Sequence, residues 1–274
     1  MNPVCRYVLC VFMGWMSVLS VCSRTVLSES TKAPVVYASV GVVNRNVGTV
    51  TDTLGRFSLN IPVEFINDSI RISSIGYAAR TFAVKDIKSL PDTIFLADAA
   101  VMLNEVVVKP DRIKHKTAGR KGGGGFIYIE VEGHKAAGQG LATPLNVKKR
   151  VWLKKLGFTI LTGNHPLSHM KFRVNIYREE EGEYVLQNIP PVYFEYDKSR
   201  LDDGLFTYRF PEEIMLEDGD FYIELEFLEN FYDEYFVMKT KPLTGKTRYR
   251  YASQSKWETV PFGAPIYIEY DSVE

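Results

Sequence analysis

The sequence predicts an all-β protein that consists of two β-sandwiches. Short runs of alternating apolar and polar residues recur along the chain, whereas the periodicity of an amphipathic helix is almost absent. Glycine, proline, asparagine and aspartate residues separate these runs at the spacing of sandwich strands. The 274 residues are 46% hydrophobic and 24% charged, which is the composition of a globular protein with one or two domains.

Residues 1–22 are predicted to be a secretory signal peptide. Arg6 is their only charged residue, and residues 7–21 form an apolar run. A run of this length is typical of a signal peptide and is short for a membrane-spanning helix. Small residues follow it, so we expect cleavage between residues 20 and 25, with a retained anchor as the alternative. No transmembrane span is expected after the leader is removed.

All three cysteines of the chain, Cys5, Cys10 and Cys22, lie in this leader. Cleavage after Cys22 leaves a mature protein without thiols, which excludes a disulfide framework or a thiolate metal site. The segment 19–22 resembles a bacterial lipoprotein signal, in which the cysteine is lipidated. Val21 departs from that pattern, which has Gly, Ala or Ser at this position, so lipidation at Cys22 is the disfavoured alternative.

Residues 24–108 are predicted to form the first sandwich, centred on a turn between Asp52 and Gly55. The Asp52 side chain can bond to nearby backbone to start the turn, and Gly55 tolerates the positive φ that ends it. The strand that follows alternates in residues Phe57, Ser58, Leu59, Asn60 and Ile61. Further strands are expected at residues 25–27, 36–42, 47–51, 70–73, 82–84 and 92–97.

This part of the chain resembles the carboxypeptidase regulatory-like domain. The resemblance rests on residues 25–27 with Ala33 and Pro34, and on segments 37–40, 48–59 and 74–77. It implies a transthyretin-like β-sandwich and no peptidase site, because the domain itself has none. Ser28 departs from the family, which often has Asp there, and this weakens one turn only.

The segment that follows resembles the Leu-x-Glu-Val-Val-Val sequence found behind this domain in TonB-dependent outer-membrane receptors. It comprises Leu103, Asn104, Glu105, Val106, Val107 and Val108. The resemblance implies a strand that can pair with a periplasmic partner. The alternative is that these residues are the last strand of the first sandwich or its connection to the second.

Residues 109–125 are predicted to be a basic, glycine-rich linker, and residues 126–274 a second, jelly-roll-like sandwich. Four consecutive glycines near the end of the linker favour flexibility. Strand alternation resumes at residue 127 and is clear again at 171–176 and 221–227. Acidic and glycine-rich turns separate these runs, as in a sandwich.

The aromatic residues of the second sandwich are the main candidates for binding a ligand. Consecutive aromatic residues at 231–236 cannot all point inward from a strand. The possible platform comprises Tyr232, Tyr235, Tyr249, Tyr251 and Trp257. The alternative is that these rings belong to the core and its rim.

No catalytic, cofactor-binding or metal-binding residue is predicted. His165 and His169 have the spacing of zinc ligands, but Pro166 indicates a loop. Four turn carboxylates could supply oxygens to Ca²⁺, although ordinary turn roles are favoured; these are Asp202, Asp203, Asp218 and Asp220.

The sequence therefore predicts an exported, non-enzymatic protein of a Gram-negative envelope, in the periplasm or at the outer membrane or cell surface. We expect it to act as a protein-interaction or ligand-binding module whose partner is an envelope protein or a glycan. The formal net charge of zero argues against nucleic acid as the partner. The alternatives are a glycan-binding accessory protein that uses the C-terminal aromatic residues and a hydrolase with an unrecognised site in residues 126–274.

Overall fold

A computed structural model of the chain describes residues 18–99, 112–119, 127–131, 133–163, 166–240, 242–263 and 266–273. Within these ranges nearly all regular structure is β, and the only helices are short 3-10 turns. No helix in the described part of the chain is long and apolar enough to cross a membrane.

The first sandwich consists of two sheets. A three-stranded sheet has the order β4-β1-β7, in which β1 runs parallel to β7 and antiparallel to β4. A four-stranded antiparallel sheet has the order β3-β2-β5-β6. The strands are β1 (Val18–Ser28), β2 (Ser39–Val42), β3 (Gly48–Val50), β4 (Arg56–Pro62), β5 (Ser69–Ser73), β6 (Arg80–Ala83) and β7 (Thr93–Leu96), with 3-10 turns at Val63–Phe65 and Val84–Ser89.

The turn before β4 forms as the sequence predicts. Oδ1 of Asp52 accepts hydrogen bonds from the backbone N–H groups of Leu54 and Arg56, each at 2.8 Å. Gly55 has φ of 73°, a conformation that costs a residue without Cβ little. Along β4 the apolar residues are buried and the polar residues are exposed, so this strand has one face in the core.

The second sandwich is larger and has a seven-stranded and a four-stranded sheet. The larger sheet has the order β13-β12-β16-β10-β18-β19, with β14 also paired to β12, and the smaller has the order β15-β11-β20-β8. A two-stranded sheet joins β17 to β9. The strands are β8 (Ile113–Ala118), β9 (Ile127–Val131), β10 (Gly140–Val147), β11 (Val151–Thr159), β12 (His169–Glu180), β13 (Glu183–Leu186), β14 (Val192–Asp197), β15 (Leu205–Leu216), β16 (Gly219–Phe227), β17 (Phe236–Thr240), β18 (Pro242–Arg250), β19 (Glu258–Phe262) and β20 (Ile266–Val273), with 3-10 turns at Gly133–Lys135 and Lys198–Arg200.

Each sandwich has its own hydrophobic core. The first core contains buried residues of both N-terminal sheets, among them Val40 and Ile61. The second contains side chains of both large C-terminal sheets, and its centre is an aromatic cluster in which Phe158 contacts the rings of Phe172 and Phe206. These separate cores confirm the predicted all-β class and its sandwich architecture.

The structure corrects the predicted linker at residues 109–125. Ile113–Ala118 forms β8, which pairs with β20 at the edge of the four-stranded sheet. This strand has no apolar alternation because it lies at the edge of the sheet and its side chains are mostly exposed, so sequence periodicity does not reveal it. The first strand also starts inside the predicted leader, since the backbone of residues 18–22 pairs with β4.

The two sandwiches are docked against each other. The backbone N–H of Asn44 donates to the carbonyl of Gln254 at 2.9 Å, and Nε2 of Gln254 donates to Oγ of Ser73 at 2.8 Å. Gly41 and Gly48, paired across β2 and β3, lie so close to the carbonyl oxygen of Ser253 that a Cβ at either position would overlap it. The docking brings β2 and β5 over the outer face of β12 and β16.

Candidate functional site

A cleft between the docked sandwiches is the candidate ligand-binding site. It has two adjoining depressions of about 560 and 350 Å³. Both depressions are lined by Ser39, Arg71 and Ser73 of the first sandwich and by Tyr177 and Leu186 of the second. Because both sandwiches contribute to its walls, this interdomain cleft exists only while they are docked.

The floor of the interdomain cleft is a buried network of charged side chains. The guanidinium of Arg173 donates from Nε and Nη2 to Oε2 of Glu226 at 2.8 and 2.6 Å. Arg250 lies 2.5 Å from Glu224 and 2.8 Å from Glu226. Asn175 donates to both carboxylates at 2.7 Å. Two cations and two carboxylates therefore balance within one hydrogen-bonded group.

Strand register explains how these residues meet. Arg173 on β12 is opposite Glu226 on β16, and Gly140 on β10 is opposite both Glu226 and Arg250 on β18. Gly140 has no side chain, so Arg250 reaches across it to the carboxylates. A Cβ at Gly140 would overlap the carboxylate of Glu224.

Arg173 also connects the network to the first sandwich. Its Nη1 donates to the carbonyl oxygen of Tyr37 at 2.7 Å, and its Nη2 donates to Oγ of Ser39 at 2.9 Å. The ring of Tyr37 packs on the ring of Tyr193 with centroids 5.6 Å apart. One guanidinium thus joins the buried carboxylates of the second sandwich to the backbone of the first.

The pKa values of the two carboxylates in the network are shifted in opposite directions. Burial raises the pKa of Glu224 above its ordinary value, although Arg250 opposes this effect. Burial also acts to raise the pKa of Glu226, but the attraction of Arg173 and Arg250 and the hydrogen bonds outweigh it and lower this pKa. Glu226 is therefore the carboxylate that the network holds ionised most strongly.

Three aromatic side chains form one wall of the interdomain cleft next to this charged network. The ring of Trp257 meets the ring of Tyr177 edge-on with centroids 5.4 Å apart and lies 6.0 Å from the ring of Tyr184. The guanidinium of Arg250 stacks over Trp257 at 5.4 Å. This contact is a cation–π interaction, so Arg250 supports the indole from below. The half-buried Trp257 thus presents a fixed ring to the cleft.

Arg71 on β5 is the cation that both depressions share. Its side chain is exposed and makes no hydrogen bond or ion pair with any other described residue. The polar groups around it are mainly hydroxyls and amides, namely Ser39, Ser73, Ser74, Asn44, Gln187 and Gln254. An arginine beside an aromatic wall and several uncharged polar groups can bind a polar or acidic ligand without any covalent step.

The structure separates the predicted aromatic platform into three groups. Tyr232 and Tyr235 lie in the segment between β16 and β17 and are 67% and 56% exposed. Tyr249 packs edge-on against Tyr251, which is 44% exposed, with ring centroids 4.6 Å apart. Trp257 alone lines the interdomain cleft. Within the described residues, no ring contact links the three groups.

The other candidate residues are spread over the fold. The possible partner strand with Leu103, Glu105, Val106, Val107 and Val108 lies outside the described residues, as does His165. His169 is 3.6 Å from Glu195. The described part of the chain has no group of three or more His, Cys, Asp or Glu residues arranged to hold a metal ion.

Comparisons with known proteins identify the first sandwich. Residues 23–108 match the family model of the CarboxypepD_reg-like domain, which confirms the predicted carboxypeptidase regulatory-like domain. Such a domain indicates a binding or regulatory module. No curated protein matches the chain significantly. Among solved structures, the chain matches that of infectious bursal virus derived T=1 particles, with 11% sequence identity over 92% of this chain and 62% of that chain. The TM-score of 0.23 is too low for this match to support a conclusion about fold or function.

Proposed function

We propose that this chain is an exported, non-enzymatic protein of the bacterial envelope that binds a ligand in the interdomain cleft. The observation that carries the proposal is the combination of Arg71, which has no partner among the described residues, with the fixed ring of Trp257 in a cleft that both sandwiches line. Residues 23–108 match a domain that indicates a binding or regulatory module. The apolar run at residues 7–21 supports export.

The chemistry of the cleft favours a ligand with polar groups and an acidic function. Arg71 and Lys256 are cations at its rim, and Glu183 is the opposing acid. The floor contributes no net charge because its two arginines and two glutamates balance. The rim therefore has a net positive charge of one, which favours an anionic group.

A glycan is the second candidate, because an aromatic ring surrounded by hydroxyl and amide groups suits the apolar face and the hydroxyls of a sugar. In that case Trp257 and Tyr184 serve as the stacking surface, and Arg71 binds a sugar carboxylate. Tyr232, Tyr235 and Tyr251 then lie outside the site.

Tryptophan fluorescence tests this proposal directly. The chain without residues 1–22 has two tryptophans, Trp152 and Trp257, and only Trp257 is in the cleft. We expect titration with a hexasaccharide of galacturonic acid to change the emission, and the neutral hexasaccharide of maltose to bind more weakly. The change should disappear in the Trp257→Phe variant.

The Arg71→Gln variant separates binding from folding. Arg71 has no partner among the described residues, so this change should leave the melting temperature unaltered while it weakens binding of the acidic probe roughly tenfold or more. The matched control is Lys85→Gln, an exposed cation of the first sandwich outside the cleft. Equal binding by wild type and Arg71→Gln, or no emission change with either probe, contradicts the proposed site.

A further inference from the structure

A second groove lies on the outer face of the four-stranded sheet of the second sandwich. It has a volume of about 410 Å³ and is lined by residues of all four strands, β15, β11, β20 and β8. Its charged side chains are Lys116, Lys154, Lys155, Arg209, Glu269 and Asp271, and its other titratable side chains are His115 and Tyr270. Four permanent cations thus face two carboxylates in a chain whose overall formal charge is zero.

An irregularity in β11 concentrates the lysines in this groove. The register of β11 shifts between Leu153 and Lys155 against both of its neighbours, as in a β-bulge. Consecutive residues of a regular strand point to opposite faces, whereas a bulge can turn them to the same face. Here Nζ of Lys154 lies 3.3 Å from Asp271, and Nζ of Lys155 lies 3.1 Å from Glu269.

The strand register also sets two cations side by side. Lys155 is directly opposite Arg209 on β15 and opposite Glu269 on β20. Like charges that face each other across strands are unfavourable. Glu269 compensates Lys155, whereas the side chain of Arg209 makes no ion pair or hydrogen bond with another described residue. An anion bound next to Arg209 would relieve this repulsion.

A buried carboxylate orients the remaining polar groups. Asp271 has a side chain that is only 1% exposed, and it bonds to Nδ1 of His115 and to Lys154. A carboxylate that holds one imidazole nitrogen fixes the orientation of the ring and leaves the other nitrogen for a second partner. The His115 side chain is 72% exposed, so its Nε2 is accessible. The side chain of Lys116, also exposed, makes no ion pair or hydrogen bond with another described residue.

We propose that this basic groove binds a phosphate group. The two carboxylates offset two of the four permanent cations, which leaves a net charge of plus two that matches a phosphate dianion. Arginine and lysine are the side chains that bind phosphate best, Arg209 through its guanidinium fork and Lys116 as a point charge. The phosphate group belongs either to a soluble molecule or to a lipid headgroup.

The test uses the full mature chain and two phosphate probes. Calorimetric titration with inorganic pyrophosphate measures binding of a soluble phosphate, and co-sedimentation with phosphatidylcholine vesicles that contain phosphatidic acid measures binding of a headgroup. We expect at least one probe to bind, and its affinity to fall as sodium chloride is raised, because salt screens the exposed cations.

A double variant, Lys116→Gln with Arg209→Gln, removes the two cations that have no partner in the described structure. It should fold like the wild type and bind the phosphate probe at least roughly tenfold more weakly. The matched control is Lys85→Gln with Lys88→Gln, two exposed cations of the first sandwich, and this variant should bind normally.

The proposal is overturned if neither probe binds the wild type, or if the double variant binds as tightly as the control. It is independent of the interdomain cleft, because Arg71→Gln leaves every residue of the basic groove unchanged. Binding of pyrophosphate alone identifies a soluble ligand, and binding of vesicles alone identifies a lipid headgroup; both results support the phosphate site.

Discussion

Replacement of Arg173 by methionine tests how the floor of the interdomain cleft holds the two sandwiches together. The substitution keeps an unbranched apolar side chain and removes the guanidinium. It breaks two hydrogen bonds to Glu226 and the bonds to the carbonyl of Tyr37 and to Oγ of Ser39. It also leaves the two buried glutamates with one cation, Arg250.

The expected loss is large because the group that remains is a buried carboxylate without its main partner. Removal of one partner from a buried ion pair typically costs about 3–5 kcal/mol. The Arg173 side chain is 5% exposed and that of Glu226 is 0% exposed, so solvent cannot replace the lost bonds. We therefore expect Arg173→Met to lower the free energy of unfolding by about 3–5 kcal/mol.

Urea unfolding of the full mature chain, followed by far-UV circular dichroism, measures this loss. The matched control is Arg178→Met on the same strand, where the side chain is 39% exposed, lies 3.9 Å from Glu180 and donates to the carbonyl oxygen of Asp218 at 3.1 Å. An exposed pair of this kind contributes about 0–1 kcal/mol. The two substitutions are chemically identical and both remove an arginine that bonds to a backbone carbonyl, so the larger part of their difference reports burial and the ion-pair network.

A double-mutant cycle identifies the interaction itself. Glu226→Gln alone should also destabilise the protein, because it leaves an excess positive charge in the network. The double variant Arg173→Met with Glu226→Gln should lose less than the sum of the two single losses, with a coupling of about 1–3 kcal/mol. Additive losses, or a loss below about 1 kcal/mol for Arg173→Met, contradict the reasoning.

Three further results follow from the same structure. First, the pKa of Glu226 is lower in the folded protein than the ordinary glutamate value of about 4.3. The ionised carboxylate therefore stabilises the fold above that value, and this stabilisation is lost as the pH falls through the folded pKa. The loss of unfolding free energy caused by Glu226→Gln should accordingly be greater at pH 7 than at pH 4 in urea unfolding. The pKa of Glu224 is raised, so the stabilisation by its protonated form is lost as the pH rises, and the loss of unfolding free energy caused by Glu224→Gln should shrink from pH 4 to pH 7. If both variants show the same pH trend, the opposite directions of the two pKa shifts are wrong. Second, Gly48→Ala should cost about 1–3 kcal/mol in thermal or urea unfolding because its Cβ overlaps the carbonyl of Ser253, whereas Gly163→Ala, with no atom within 4 Å, should cost far less. Third, intact mass of the protein from native cell envelopes should lack residues 1–19; a mass that includes them excludes cleavage, and an added lipid mass on Cys22 indicates a lipoprotein.

The sequence predicted the strands that have one face in a core and one face in solvent. The alternation of Phe57, Leu59 and Ile61 with polar residues corresponds to the burial pattern of β4, and the Asp52 turn forms as expected. Local residue types are sufficient in such a case, because the period of two and the turn are both encoded within a few neighbouring residues.

The floor of the cleft was not predictable by the same reasoning. Arg173, Asn175, Glu224 and Glu226 occupy the polar positions of alternating strands, which normally face solvent. They are buried because the first sandwich and the segment after β18 cover this face, and a contact between distant parts of the chain leaves no local pattern. Charged residues of opposite sign at alternate positions on separate strands only weakly indicate a buried ion-pair network, since pairs of opposite charge on the exposed face of a sheet have the same sequence pattern.

The basic groove was missed for two reasons. Its residue His115 belongs to β8, which the sequence predicts to be part of a linker. An exposed edge strand needs no apolar alternation, so β8 lacks the pattern that indicates a strand. The bulge that turns Lys154 and Lys155 toward the same face depends on strand pairing and cannot be read from the residues alone.

Cross-linking of the docked sandwiches is the most direct measurement of the central claim, that they form one cleft. The side chains of Ser73 and Gln254 belong to different sandwiches and approach to 2.8 Å. In mature protein without other cysteines, with Cys22→Ser if that residue is retained, the pair Ser73→Cys and Gln254→Cys should form an intramolecular cross-link with a short bismaleimide. The reaction should be rapid in native buffer and slow in urea, and neither single variant should give the product. Equal rates in native buffer and in urea contradict the docked arrangement and the ligand site that depends on it.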